Sequence, residues 1–241
     1  MRAEQATRPL PRPPGQPLIE LRDVSVHYRG TGSAALSGIG LTVGHGELVT
    51  LAGPARSGKS TLLSVVGLLL RPTTGSYLLN GFDTTALRDR ERTALRGRQI
   101  GCVFQQPRLL PARSALDNVM LAVLYAGLPR QRQRSAAADA LDRVGLGGRI
   151  NVLAGQLSAA EQQRVAIARA VAGDPSLLLC DDPTASLDEA LATQVIGLLV
   201  SLHREGRTVL IVTRDQLAAA YSSRTLTVGE VSPAVRQEAD R

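Results

Sequence analysis

A chain of 241 residues with 44% hydrophobic and 20% charged side chains has the composition of a globular protein, long enough for one large domain or two small ones. Aromatic residues make up only 2% of it and Trp is absent, so the core must be aliphatic. The formal charge of +7 admits an anionic ligand or surface, but the arginines are scattered and not interleaved with stacking aromatics, which argues against nucleic acid as a partner.

Residues 1–17 carry five prolines and little that could pack, and read as a disordered tail. They lack the apolar core of a secretory signal. The longest apolar stretch, 62–70, is too short to cross a bilayer. Strand patterns are expected at 19–28, 35–43 and 47–53, and the last runs through GPARSGKST at 53–61 into a helix over 61–70. A small strand at 77–79 ends in the turn residues Asn80 and Gly81. A helix over 86–97 and a buried strand over 99–104 follow. From about 107 to 173 strand signals vanish, and Ala, Leu and Arg recur at helical spacing over 115–124, 131–144 and 159–171, which reads as a helical insertion. Strand patterns return at 177–180, 209–212 and 226–228, alternating with helical stretches, so the expected fold is α/β with a mostly parallel sheet. Cys102 and Cys180 lie in apolar runs and read as reduced thiols. Residues 231–241 form a short polar tail without an assigned role.

The segment at 53–61 fits G-x-x-x-x-G-K-[ST], the phosphate-binding P-loop, and stands between a strand and a helix as that motif requires. Its lysine, Lys59, is the only one in a chain of 28 lysines and arginines. A compact ammonium fits inside a loop wrapped around phosphates, whereas a planar guanidinium does not. The expected ATP-binding set is Gly53, Pro54, Ala55, Arg56, Ser57, Gly58, Lys59, Ser60 and Thr61. Lys59 should reach the β- and γ-phosphates, Ser60 should place its hydroxyl on Mg²⁺, and Thr61 should support the α-phosphate side; Arg56 reads as exposed.

Two further blocks carry chemistry. In LLLCDDPTASLD, Asp181 ends a buried strand, where a carboxylate beside a P-loop holds Mg²⁺, and Asp182 follows as a base that orients the attacking water. The bland alternative is two acids at a helix N-terminus. In LSAAEQQRVAIARA, Ser158 and Glu161 form an S-x-x-E capping box. That segment is either an ordinary helix start or a helix start aimed at an anion.

These three blocks, in this order, resemble the ATP-binding subunit of ABC transporters over roughly residues 18–230. The segment RQIGCVFQQPRLLPARSALDNVMLAVLYAGLP looks most like the macrolide- and lipoprotein-exporter branch. The resemblance implies a P-loop NTPase core with an antiparallel β subdomain and an inserted α-helical subdomain, and ATP and Mg²⁺ as ligands. It implies two partners, a second ATP-binding subunit facing head to tail and an integral membrane permease, and a place on the cytoplasmic face of the cell membrane. By the same resemblance Tyr28 would stack on adenine, and Gln105 would sense the γ-phosphate and the metal. Ser158, Ala159, Ala160 and Glu161 would form the signature that meets the partner's ATP, and Asp188 would link the two sites. The segment around Gln105 would form the permease groove.

Three departures from the family pattern bear on turnover. Asp182 stands where the family has Glu, a side chain longer by roughly 1.5 Å on the scale of one carbon–carbon bond. Arg214 stands where the family has a His that can both donate and accept; guanidinium only donates. Ala159 and Ala160 replace paired glycines, adding a Cβ where a backbone approaches phosphate. The expectation is an ATPase in which Asp182, Gln105 and Arg214 act catalytically, binding ATP well and hydrolysing it slowly. An ATP-gated regulatory scaffold is the alternative. A soluble nucleotide kinase would need only the P-loop and leaves the other blocks unexplained.

Overall fold

The computed structural model describes residues 15–28, 34–213, 216–228 and 235–237. β1 (Ile19–His27) and β2 (Ala34–Val43) pair antiparallel, and β3 (Leu48–Ala52) leads through the glycine-rich loop into α1 (Lys59–Val66). With β4 (Thr74–Leu79) and the short β5 (Phe82–Asp83), the first two strands make a four-stranded antiparallel sheet in the order β2-β1-β4-β5. α2 (Asp89–Gln99) runs directly into β6 (Ile100–Val103). Three helices follow within 107–173: α3 (Ala115–Ala126), α4 (Arg130–Arg143) and α5 (Ala159–Val171). The chain then alternates through β7 (Leu177–Asp181), α6 (Glu189–Arg204), β8 (Thr208–Val212), α7 (Gln216–Ala220) and β9 (Arg224–Val228) to β10 (Val235–Gln237).

The second sheet has the order β10-β9-β3-β8-β7-β6 among the described residues. Its β9, β3, β8, β7 and β6 run parallel, and β10 adds antiparallel to β9, pairing Val235 with Val228 and Gln237 with Leu226. Part of the polar stretch after 231 is thus an edge strand. The near-continuous apolar runs of β3, β7 and β8 are explained by burial on both faces. Alternate residues serve different cores. Val49, Leu51, Leu177, Leu179, Leu210 and Val212 pack with Ile19, Val43 and Leu62 under the antiparallel sheet. Leu48, Leu178, Cys180, Val209 and Ile211 pack on the other side with Val119 of α3, Leu141 of α4, Ile167 of α5 and Leu199 of α6. Cys102 and Cys180 are both free thiols, the second fully buried.

α1 is shorter than the apolar run suggests. It stops at Val66, where the Gly67 N–H closes on the Leu63 carbonyl at 2.7 Å and Leu68 turns left-handed at φ 56°. Leu69 and Leu70 fold back onto the Ser64 carbonyl, and Arg92 and Arg96 of α2 donate to the Leu68 carbonyl at 3.1 and 3.2 Å. Among the described residues no helix is long and apolar enough to cross a membrane.

Candidate functional site

Parallel strands end on a common edge, and in open α/β sheets ligands bind outside those carboxyl ends. Here β3, β8, β7 and β6 are consecutive neighbours. The glycine-rich loop leaves β3, Thr213 follows β8, Asp181 and Asp182 close β7, and Gln105 lies just past β6. All of them line one cavity of about 320 Å³, together with Ala35, Val212 and the loop residues Ala55, Arg56, Ser57, Gly58, Lys59, Ser60 and Thr61.

The loop is shaped by two glycines. Gly58 is the N-cap of α1 at φ 88°, and a Cβ there would lie 2.6 Å from the Ala35 carbonyl oxygen. Gly53 sits at φ 147°, with the Val228 carbonyl 2.6 Å from where its Cβ would be. The first N–H groups of a helix lack intrahelical partners. Gly58 offers no side chain to cap them, and the first turn of α1 holds no acid. The Lys59 ammonium is buried and donates to the carbonyls of Gly53 at 2.7 Å and Pro54 at 2.5 Å, and to Ser57 Oγ at 3.1 Å. Arg56 is exposed at φ 64°.

Opposite the loop stand two half-buried carboxylates. Burial, and then the neighbouring Asp182, push the Asp181 carboxyl above its ordinary value, against the pull of Arg108 and Lys59. Asp182 sits in left-handed backbone at φ 45°. Its N–H donates to the Val212 carbonyl at 2.7 Å, and its Oδ1 accepts from Thr213 Oγ1 at 2.9 Å. Thr213 was not singled out by sequence; the available signal was a polar residue ending an apolar strand beside two that end at the site. Ser60, Gln105 and Asp181 supply hydroxyl, amide and carboxylate oxygens to the one cavity, a hard donor set that suits Mg²⁺ completed by substrate oxygens and water.

The remaining expected residues fall elsewhere. Tyr28 is exposed at the end of β1, with its hydroxyl 3.3 Å from Thr61 Oγ1. Ser158 is the N-cap of α5, accepting from the Glu161 N–H at 3.3 Å, while the Glu161 carboxylate accepts from the Ser158 N–H at 2.9 Å. That backbone bond holds the Glu161 carboxyl below the usual range, helped by the Ser158 hydroxyl and by Arg149 and Arg164. Ala159 is exposed and Ala160 buried, and none of residues 158–161 lines the cavity. Asp188 caps α6, accepting from the Leu191 N–H at 2.9 Å. Arg214 lies outside the described residues. Sequence also missed how α5 grips the Gln105 loop: Arg169 donates to the carbonyls of Pro107 at 2.7 Å and Arg108 at 3.0 Å, and Gln163 to that of Phe104 at 3.4 Å.

A family model described as ABC transporter matches residues 36–185. The chain belongs to the ABC transporter family. As a cassette of that family it is 43% identical over 216 residues to the lipoprotein-releasing system ATP-binding protein LolD of Hyphomonas neptunium, covering 88% of this chain and 95% of that one. It is 42% identical over 215 residues to the macrolide export ATP-binding/permease protein MacB of the same organism. That match covers 88% of the cassette but 33% of MacB, so the cassette spans about a third of the length of such relatives. Among solved structures it resembles the ATP-binding cassette MJ0796, described as a dimeric post-hydrolysis state bound to ADP and Pi, with TM-score 0.83, 35% identity, and 92% of this chain and 99% of that one covered.

Proposed function

We propose that the cassette binds ATP with Mg²⁺ in the cavity at the carboxyl edge of its parallel sheet and hydrolyses it slowly to drive a separate integral membrane permease. The observation that carries this reading is the convergence of four strand ends, the sole lysine and two carboxylates on one cavity. Lys59 and the α1 amides hold the β- and γ-phosphates, with Gly53 and Pro54 shaping the loop and Tyr28 against adenine. Ser60, Gln105 and Asp181 would hold Mg²⁺, which would offset phosphate charge. Asp182 orients a water; the water oxygen bonds to the γ-phosphorus as the bond to the bridging oxygen breaks, giving ADP and phosphate with a proton released to solvent. Arg214 is assigned a role at the γ-phosphate from the sequence alone.

The start of α5 does not line the cavity of its own chain. We assign Ser158, Ala159, Ala160 and Glu161 to the nucleotide of a second cassette, and Asp188 to the link between the paired sites. The permease docks in a groove of about 560 Å³ lined by Phe104, Arg108, Leu121, Tyr125 and Arg169, where Tyr125 is 69% exposed. We assign the cassette to the cytoplasmic face of the cell membrane, held there by its partner. A second reading, an ATP-gated scaffold with little turnover, is supported by the departures from the family pattern at Asp182, Ala159, Ala160 and Arg214.

Isothermal titration with Mg²⁺ should register ATP binding, and turnover of the purified cassette should stay well below tens per second. Asp182→Glu with Arg214→His should raise that rate. Rapid unstimulated turnover in the unaltered protein overturns the slow-hydrolysis reading. Absence of any ATP binding overturns the whole.

A further inference from the structure

We propose that Thr213 is a positioning residue that holds the Asp182 carboxylate in register with the attacking water, making up for the short reach of Asp at this place. The inference rests on the reading of Asp182 as the water-orienting carboxylate. It starts from backbone. A left-handed φ is uncommon for a residue with a side chain, and Asp and Asn are among those that tolerate it. Asp182 adopts it at φ 45°, immediately after β7. The turn is held by the bond from its N–H to the Val212 carbonyl at 2.7 Å. The side chain is held by the next residue along β8: Thr213 Oγ1 donates to Asp182 Oδ1 at 2.9 Å. Thr213 is itself 2% exposed, and its N–H reaches the Leu51 carbonyl of β3 at 3.4 Å. The aspartate is therefore tied through backbone and side chain to the strand lying between its own and the strand that feeds the phosphate loop.

A carboxylate offers two oxygens and about four lone-pair sites. Fixing Oδ1 on Thr213 leaves Oδ2 to accept from a water, and both residues line the cavity. The chemistry needs that restraint because misplacement of about 1 Å costs on the order of a hundredfold in rate. A free Asp, shorter than Glu by one methylene, would sample several orientations; one tied by a buried hydroxyl does not. A Glu at 182 would carry its carboxylate past the hydroxyl and gain nothing from it. That consequence separates positioning from simple bracing of β7 against β8, since bracing would help either acid.

The test uses the full-length protein, measuring ATP turnover alongside ATP binding by titration. Thr213→Val should lower kcat by about tenfold to a hundredfold, with ATP affinity and KM unchanged. Thr213→Ser should retain the rate. In an Asp182→Glu background, Thr213→Val should change kcat by less than about twofold. Thr213→Ala serves in the same cycle if the valine variant does not fold. An unchanged rate in Thr213→Val and Thr213→Ala overturns the proposal, as does an equal loss in the Asp182→Glu background or a parallel loss of ATP binding. Asp182→Asn separates the two levels. If it leaves turnover intact, the reading of Asp182 fails and this inference with it; if it abolishes turnover while Thr213→Val does not lower it, only the role of Thr213 falls. Turnover absent from every variant, Asp182→Glu included, overturns both.

Discussion

The helices α1 and α5 each begin at a segment whose sequence points at phosphate, yet their first turns are completed in opposite ways. α1 starts at Gly58, with no capping side chain and no acid in the first turn, inside a cavity walled by four strand ends. α5 starts at Ser158 on an exposed surface, with its own serine and glutamate already bonded to the helix end. Both carry the partial positive charge of a helix N-terminus. At α1 that charge is left for a ligand, backed by the one lysine in the chain. At α5 it is already satisfied within the chain, so an arriving phosphate has to compete with Glu161. A phosphate-seeking helix start is thus recognised less by its glycines than by the absence of a capping side chain and of an acid in its first turn.

The largest effect should come from α1. Lys59→Ala removes a charge-assisted contact in an enclosed site and should weaken ATP binding by about a hundredfold, measured by titration with Mg²⁺ present. Binding that survives intact would erase the distinction between the two helix starts. A smaller change is expected at α5. Ala159→Gly with Ala160→Gly should raise turnover a few fold, while the melting temperature falls because glycine costs up to about 0.8–1.0 kcal/mol of helix propensity per position. Turnover unchanged with lowered stability would show that the added Cβ atoms do not hinder the partner's phosphate.

The smallest effects test the capping itself. Ser158→Ala should cost about 1 kcal/mol in denaturant unfolding. Glu161 has a folded pKa below its ordinary value. Its contribution is therefore present above the ordinary carboxylate pKa and is lost as pH falls through the depressed one. Because the carboxylate is only partly buried and its partners are open to solvent, the contribution amounts to roughly a few tenths of a kcal/mol. Glu161→Gln should flatten that part of the acid unfolding profile, and an unchanged profile would mean that the carboxylate adds nothing to the cap.

Much of this molecule is legible in single segments. The P-loop with its lysine, the Asp181–Asp182 pair at a strand end and the S-x-x-E start at Ser158 are each written within a dozen residues. The strands β3, β7 and β8 declare themselves through apolar runs. What escaped depends on bonds between distant segments. The end of α1 at Val66 is set by Gly67, a left-handed Leu68 and carbonyl contacts from α2, none of which interrupts the apolar run. The grip of Arg169 on the Gln105 loop spans about sixty residues of chain.

By itself the sequence determined most of the core strands and helices and which side chains can carry phosphate chemistry, because helix and strand periods, caps and loop glycines are local properties. Only the tertiary structure decided that Thr213 holds Asp182, that Gln105 shares a cavity with Lys59, and that the start of α5 lies outside that cavity. The reason is physical: parallel strands brought together in the order β3-β8-β7-β6 set their carboxyl ends side by side, and no pattern within one segment encodes which other segment will lie next to it.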